Sequence, residues 1–248
     1  MDAGIGLAVT FFASTIVAVV AVMLAVGNAV KSGAELSSEQ LMTSLTTSGT
    51  LLAASVLATW TGFVGAPVVA SRWRGQKSLA KDFGLYITWS DLWIGVCAAA
   101  VMVAAELGIS GVAEAAGIDL KDADNGAFLA KLSPTWTVVM VLCVTIGAPI
   151  VEELYFRGLT LRSFQKLTHK TKHPKLLAAV ATSAIFAVLH YSTSGANLAP
   201  SGGTFVLLFT VFMFGLVLAW LALKTGRLGA GIVAHICVNT VGAAMVLA

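Results

Sequence analysis

The chain contains very little charge. Lys and Arg number 15 and Asp and Glu 12, so that 11% of the 248 residues are charged, against roughly 25% in a soluble domain. With 58% hydrophobic residues and a mean hydropathy of +0.90, this composition excludes an ordinary soluble domain. The apolar runs are continuous and do not alternate with period two, as the strands of an outer-membrane barrel would. The predicted fold class is therefore all-α, a polytopic transmembrane helical bundle.

Cysteine is also scarce, and its positions exclude two classes of small protein. Cys97, Cys143 and Cys237 all lie within apolar runs, and no CxxC spacing occurs. This pattern excludes a disulfide framework and a cysteine-based zinc site, and it is typical of cysteines that pack as small apolar residues. No internal repeat is found. We predict a single integral membrane domain over residues 1–248.

Seven predominantly apolar stretches come close to the roughly 20 residues that a helix needs to cross a bilayer. They are 5–30, 51–70, 84–105, 136–151, 176–190, 205–223 and 228–247. The fourth and fifth reach full length only if the polar residues at their ends lie inside the membrane. The segment 112–128 is too charged to cross, and the uncharged stretch 192–204 is either an outer loop or re-entrant. The count is therefore seven spans, or eight if 112–128 crosses after all.

Basic residues are confined to alternate loops. They are Arg72, Arg74, Lys77 and Lys81 after the second stretch, Arg162, Lys166, Lys170, Lys172 and Lys175 after the fourth, and Lys224 and Arg227 after the sixth. Since basic loops remain cytoplasmic, the N-terminus is predicted inside and the C-terminus outside. The composition suits a prokaryotic cytoplasmic membrane. Segment 162–175 is expected to contact anionic lipid headgroups, and no nucleic-acid partner is predicted.

Charged side chains occur at the end of the fourth stretch, in the run from Glu152 to Arg157. Ionisable groups inside a membrane span cost a few kcal/mol or more each, so they seldom serve stability alone. Residues four apart share a helix face, which pairs Glu153 with Arg157. Glu152 is rotated by about 100° and is left available as a general base. An ion-pair network near the membrane surface also explains this run on its own. Pro149 is expected to free a carbonyl and bend the helix.

Two further pairs of residues are each separated by one helical turn. Phe186 precedes His190 in the fifth stretch, and His235 precedes Asn239 in the seventh. A neutral imidazole offers one donor and one acceptor, which suits the activation of water or the binding of an oxyanion. A buried amide without a partner is costly, so Asn239 is expected to bond to His235 or to a substrate carbonyl. Packing explains the first pair taken alone, and a helix–helix hydrogen bond explains the second.

Taken together, the three motifs EExxxR, FxxxH and HxxxN follow one another on successive spans. In this order they resemble the CPBP family of intramembrane proteases, which includes the type II CAAX prenyl endopeptidases and the bacteriocin-immunity-like (Abi family) relatives. All three motifs are intact, and the resemblance covers residues 136–245. The N-terminal half shows no such resemblance.

The resemblance implies hydrolysis of a peptide bond within a membrane-embedded cavity. By this analogy Glu152, with His190, activates a water, while His235 and Asn239 bind the oxyanion. Three further residues would shape the site, namely Glu153, Arg157 and Phe186. The implied substrate is a membrane-associated peptide or protein, for which a prenylated CAAX type is one option.

The sequence favours a metal-free reaction but leaves a metal open. One carboxylate and two histidines resemble a catalytic zinc set, in which Glu152, His190 and His235 would be the ligands of a divalent metal such as zinc. Against this, no HExxH motif places two ligands on one helix, and the amide of Asn239 is a poor zinc ligand.

Two other classes of protein compete with a protease. A non-catalytic membrane scaffold or a bacteriocin-immunity protein of the same fold would use the helices only for partner contacts. A transporter would use the Glu/His set as a proton relay, but it predicts internal repeats, which are not found. Glu152→Gln separates these classes: a scaffold tolerates it, an enzyme and a transporter do not, and only the enzyme then stops generating a cleaved product.

The predicted spans contain one geometric conflict. If the helices are upright and start at the nearest basic residue, His190 lies about 22 Å beyond Lys175, at 1.5 Å per residue. His235 lies only about 12 Å beyond Arg227. The two imidazoles then cannot meet, so the fifth span is expected either to begin later and tilt or to have other boundaries.

Overall fold

The computed structural model describes residues 2–32, 37, 48–120, 126–193 and 201–248. Within these ranges the chain forms helices and no strands, as the composition predicts. The helices are α1 (Asp2–Ser32), α2 (Gly49–Arg74), α3 (Leu79–Phe83), α4 (Trp89–Ala115), α5 (Pro134–Leu167), α6 (Pro174–Thr193), α7 (Gly202–Thr225) and α8 (Gly229–Leu247), and a 3₁₀ helix (Ala127–Lys131) precedes α5.

All of these helices except the short α3 are long and apolar enough to cross a membrane, which gives seven candidate spans. This confirms the predicted bundle, and within the described ranges no eighth span is found. Helix α4 ends at Ala115 and is followed by a turn, so segment 112–128 does not continue as a spanning helix. Residues 121–125 of that segment, and residues 194–200 of the stretch predicted to be external or re-entrant, lie outside the described ranges.

Helix α5 is much longer than its predicted span of 136–151. It runs without a break through the charged residues to Leu167, as α-helix (Pro134–Leu142), π-helix (Cys143–Gly147), α-helix (Ala148–Glu152), π-helix (Glu153–Thr160) and α-helix (Leu161–Leu167). In the second π-helical segment the Leu161 N–H donates to the Phe156 carbonyl five residues earlier. Single-turn π segments inside α-helices are frequent at functional sites. The predicted boundary at 151 was wrong because the charged residues beyond it are buried and paired within the bundle.

The bundle turns its polar groups inward and its apolar surface outward. Large apolar side chains are exposed on the outer faces of the helices, among them Phe11, Val101, Val138 and Phe205, as lipid contact requires. Helix α5 lies in the middle and contacts α2, α6, α7 and α8, while α1 packs on α2 and α4 packs on α8. Helices α4 and α8 approach closely at Gly95, where an added Cβ would lie 2.6 Å from the Val233 Cβ.

Arg162 fixes the relative depth of the helices. Its guanidinium donates to the carbonyls of Asp82 (2.7 Å) and Phe83 (3.0 Å) in α3 and of Gly226 (3.2 Å) in the α7–α8 turn. Arg162 is therefore level with the start of α8, at what we call the basic end of the bundle. The last five residues of α5 extend about 7 Å beyond Arg162. Helix α6 begins beyond the basic end as well, in contact with these residues.

This extension removes the conflict between the two histidines. Lys175, near the start of α6, lies farther out than Arg162. The first turns of α6 therefore project beyond the basic end, and only the rest of the segment from Lys175 to His190 lies within the bundle. His190 and His235 are then both about 12–15 Å inward from the basic end, at 1.5 Å per residue. The predicted boundary of the fifth span was therefore misplaced, since the basic residues of 162–175 do not all mark one level.

Candidate active site

A buried ion pair forms the inner wall of the candidate site. The side chains of Glu153 and Arg157 are 0% and 1% exposed, and the Arg157 Nη1 lies 2.9 Å from the Glu153 Oε1. This is the pairing that their spacing predicts. The Arg157 Nη2 also donates to the Gly215 carbonyl of α7 at 3.3 Å, and the guanidinium carbon lies 4.5 Å from the centre of the Phe186 ring. Arg157 thus joins α5, α6 and α7 through one side chain.

Glu153 also contacts the imidazole of His235. Its Oε1 lies 3.3 Å from the His235 Nδ1, in a hydrogen bond between buried groups of α5 and α8. The His235 ring packs edge-on against Phe214, with 4.9 Å between ring centres. A carboxylate at Nδ1 fixes the orientation of an imidazole and directs its other nitrogen outward. The His235 Nε2 therefore faces Glu152.

Glu152 lies between the two imidazoles. Its Oε2 is 3.8 Å from the His190 Nε2 and 3.8 Å from the His235 Nε2, which is longer than a direct hydrogen bond. Within the described part of the chain this buried oxygen has no hydrogen-bond partner. The side chains of Glu152 and His190 are 17% and 23% exposed, whereas that of His235 is 2% exposed. One carboxylate and two imidazoles from three spans thus converge on one point inside the bundle.

Phe186 supports this arrangement from the side of α6. Its ring is fully buried and lies 4.1 Å from the ring of His190, centre to centre. The Nδ1 of His190 is 3.0 Å from the Phe186 carbonyl one turn earlier. Because Phe186 touches both His190 and the guanidinium of Arg157, it separates the ion pair from the more exposed imidazole.

Asn239 has a partner that the sequence did not predict. Its Nδ2 donates to the carbonyl of Val144 in α5 at 2.9 Å. The sequence had predicted a bond to His235 or to a substrate carbonyl. Asn239 lies one turn after His235 on the same face of α8, so both side chains point at α5. The structure brings together six of the predicted site residues, which are Glu152, Glu153, Arg157, Phe186, His190 and His235. It places the seventh, Asn239, one turn beyond His235 and against Val144.

The candidate metal ligands lie slightly farther apart than a bound zinc ion would hold them. Tetrahedral zinc with bonds of 2.0–2.2 Å holds its ligand atoms about 3.4 Å apart, and the two separations measured here are 3.8 Å. In the described residues no group of three or more His, Cys, Asp or Glu side chains is arranged to hold a metal ion. We therefore derive no chemical step through a metal.

Gly231 also lies at the site, although none of the three sequence motifs includes it. It precedes His235 by one turn, and an added Cβ would lie 3.0 Å from the unpartnered Glu153 Oε2. Residues 231, 235 and 239 therefore form one stripe of α8 along α5. The four-residue spacing was readable in the sequence, but nothing there indicated that the first position must be small.

We expect Gly231→Ala to destabilise the protein by about 1–2 kcal/mol, since overpacking outweighs the gain in helix propensity. Gly242→Ala is the matched control, because it lies in the same helix and no atom is found within 4 Å of its added Cβ. Equilibrium unfolding in mixed micelles compares the two variants. Equal stability of both would contradict the close contact with Glu153.

Comparisons with known proteins agree with the three motifs. Residues 134–241 match the model of the family described as type II CAAX prenyl endopeptidase Rce1-like. The match contains all three motifs and leaves residues 1–133 outside. No curated protein and no solved structure matches the chain. The resemblance predicted from the motifs is confirmed at the level of the family.

Proposed function

Because residues 134–241 match the Rce1-like family of type II CAAX prenyl endopeptidases, we propose that this membrane protein is an intramembrane endopeptidase. It hydrolyses a peptide bond of a membrane-associated peptide or protein. A prenylated CAAX-type substrate is the first candidate, and this choice rests on the family alone. The observation that carries the proposal is the position of the Glu152 Oε2, 3.8 Å from the Nε2 atoms of both His190 and His235.

In the proposed reaction Glu152 is the general base. A water held between its carboxylate and His190 attacks the substrate carbonyl carbon while Glu152 accepts the proton. The carbonyl oxygen becomes an oxyanion in a tetrahedral intermediate. When the C–N bond breaks, Glu152 returns the proton to the leaving amine nitrogen. The exposure of Glu152 and His190 supports these roles, because part of each side chain is open to water.

His235 and Asn239 are the proposed oxyanion donors. His235 can donate from Nε2 while Nδ1 bonds to the Glu153 carboxylate only if both nitrogens carry protons. Asn239 uses one amide hydrogen for Val144 and retains a second for a substrate oxygen. Glu153, Arg157 and Phe186 hold this arrangement without touching the substrate.

The test compares wild type with Glu152→Ala and His235→Ala in native membranes, by quantitative mapping of protein N-termini. Glu114→Ala is the control, since it removes an exposed carboxylate at the end of α4, far along the chain from the motifs. New N-termini that occur in wild type and the control, and are lost in both site variants, support proteolysis and identify the substrate. Identical maps from equally expressed, folded proteins would favour the scaffold.

We also propose that the protein lies in the lipid bilayer with its N-terminus on the cytoplasmic side.

The proposed reaction needs no metal. We expect activity to be unchanged after treatment with 1,10-phenanthroline or EDTA followed by removal of the chelator. The assay is cleavage of the substrate found by N-terminal mapping. Loss of activity that added Zn²⁺ restores would overturn the metal-free mechanism.

A further inference from the structure

The carbonyl of Val144 has lost its backbone donor. In the first π-helical segment of α5 the Ala148 N–H donates to the Cys143 carbonyl, five residues earlier. The next donor in this register, at position 149, would serve Val144. Position 149 is a proline, which has no N–H. A helix in this position needs a donor from elsewhere, because an unpaired carbonyl in the membrane interior costs several kcal/mol.

Asn239 supplies that donor from the neighbouring helix. Its Nδ2 lies 2.9 Å from the Val144 oxygen. Since a carbonyl only accepts hydrogen bonds, this contact also fixes which way the amide is turned. The amide therefore replaces the hydrogen bond that Pro149 removes, and it does so three residues before the general base.

Two contacts between α8 and α5 lie on either side of Glu152. On one side the His235 Nδ1 bonds to Glu153, and on the other Asn239 bonds to Val144. Together they set the separation of α8 from α5 at Glu152. We infer that Asn239, besides its proposed contact with the oxyanion, is a positioning residue: it supplies the hydrogen bond that Pro149 removes and thereby holds Glu152 at its distance from His235. The catalytic consequence rests on the proposed function, but the contact itself does not.

This role differs in a measurable way from oxyanion binding. If Asn239 is also the donor to Val144 that holds α5 in place, a backbone N–H restored at position 149 makes that second role redundant, and the loss of Asn239 costs less. If it serves only the oxyanion, its loss costs the same whether or not position 149 is proline. A double-mutant cycle between the two positions distinguishes the cases.

The experiment uses the full chain in proteoliposomes as wild type, Asn239→Ala, Pro149→Ala and the double variant. We expect Asn239→Ala to lower the Tm by about 5 °C in the wild-type background, for a lost bond and an unpaired carbonyl. In the Pro149→Ala background the decrease should fall below about 2 °C. Cleavage activity should fall in both backgrounds, since the proposed oxyanion donor is lost in both, but the fall should be at least about 10-fold greater with proline at position 149 than with alanine there.

Pro67→Ala provides the matched control. Pro67 is also a buried proline inside a spanning helix, α2, but Asn239 does not serve its helix. Combining Asn239→Ala with Pro67→Ala should give no rescue of Tm or activity. Equal losses from Asn239→Ala in the wild-type and Pro149→Ala backgrounds would overturn the inference. If wild type cleaves nothing, the proposed function fails while the Tm cycle still decides the inference.

A second measurement avoids the need for Pro149→Ala to fold. The chain contains two Val-Thr pairs, at 9–10 and 144–145. Labelling with ¹³C-carbonyl valine and ¹⁵N threonine therefore isolates the carbonyls of Val9 and Val144 by NMR. In Asn239→Ala the Val144 signal should move upfield, as a carbonyl that loses a donor does, while Val9 stays as an internal reference. An unmoved Val144 signal would overturn the inference.

Discussion

Glu152→Gln should lower kcat/KM by about 10³-fold, within the range that a positioned general base contributes. The amide has nearly the shape of the carboxylate, so the contacts of α5 with α6 and α8 are retained, but it cannot accept the proton of the attacking water. The Oε2 that is lost is the atom 3.8 Å from the Nε2 atoms of both His190 and His235. Cleavage of a defined peptide in proteoliposomes measures the effect.

Glu114→Gln serves as the control for this loss, since it removes an exposed carboxylate near the end of α4 and should change kcat/KM less than twofold. The Tm of Glu152→Gln should match that of wild type, because Oε2 makes no hydrogen bond within the described residues. A Glu152→Gln variant that keeps more than a tenth of wild-type activity would assign the base to another residue.

Removing one member of the Glu153–Arg157 pair should have the largest effect on stability. We expect Glu153→Gln and Arg157→Met each to reduce the free energy of unfolding by about 3–5 kcal/mol, because each leaves an uncompensated buried charge. The pair is 2.9 Å apart, and its side chains are at most 1% exposed. The double variant should recover much of this loss, since it leaves no charge behind. Unfolding in mixed micelles, followed by Trp fluorescence, measures all three.

An exposed ion pair serves as the control for the buried one. Arg74 pairs with Asp2, and its side chain is 53% exposed. Arg74→Met should therefore cost less than about 1 kcal/mol. If the double variant of Glu153 and Arg157 were as unstable as the sum of the single ones, the two side chains would have no coupling energy, and a buried charge left without its partner would not explain the loss.

The sequence predicted the helical bundle and the site residues for clear physical reasons. Continuous apolar runs of about 20 residues admit few structures other than spanning helices. Polar residues four apart must share a face, which brought Glu153 to Arg157 as expected. Their convergence with His190 and His235 from other spans followed from the cost of leaving such groups unpaired in lipid.

Other features depend on contacts that no single stretch encodes. The fourth span was predicted to end near 151, because nothing local shows that the charged residues beyond it are buried and paired, whereas the helix runs to Leu167. The π-helical hydrogen bonds of α5 likewise cannot be read from local propensity. The level of Arg162 depends on carbonyls of Asp82 and Gly226, which come from two other parts of the chain. The missing donor to Val144 could not be predicted without knowing the π-helical hydrogen-bond register. In an α-helical register Pro149 would leave the carbonyl of residue 145 without a donor instead.

Under the proposed function, the depth fixed by Arg162 limits which peptides can be cleaved. Glu152 lies ten residues along α5 from Arg162, so the reactive carboxylate is about 15 Å inward from the basic end. An extended peptide covers about 3.3–3.6 Å per residue. A substrate that enters from this end must insert about four or five residues in extended form before its bond reaches Glu152. Short, unstructured chain ends meet that requirement, whereas a segment that stays helical advances only 1.5 Å per residue and brings a much wider cross-section to the same opening.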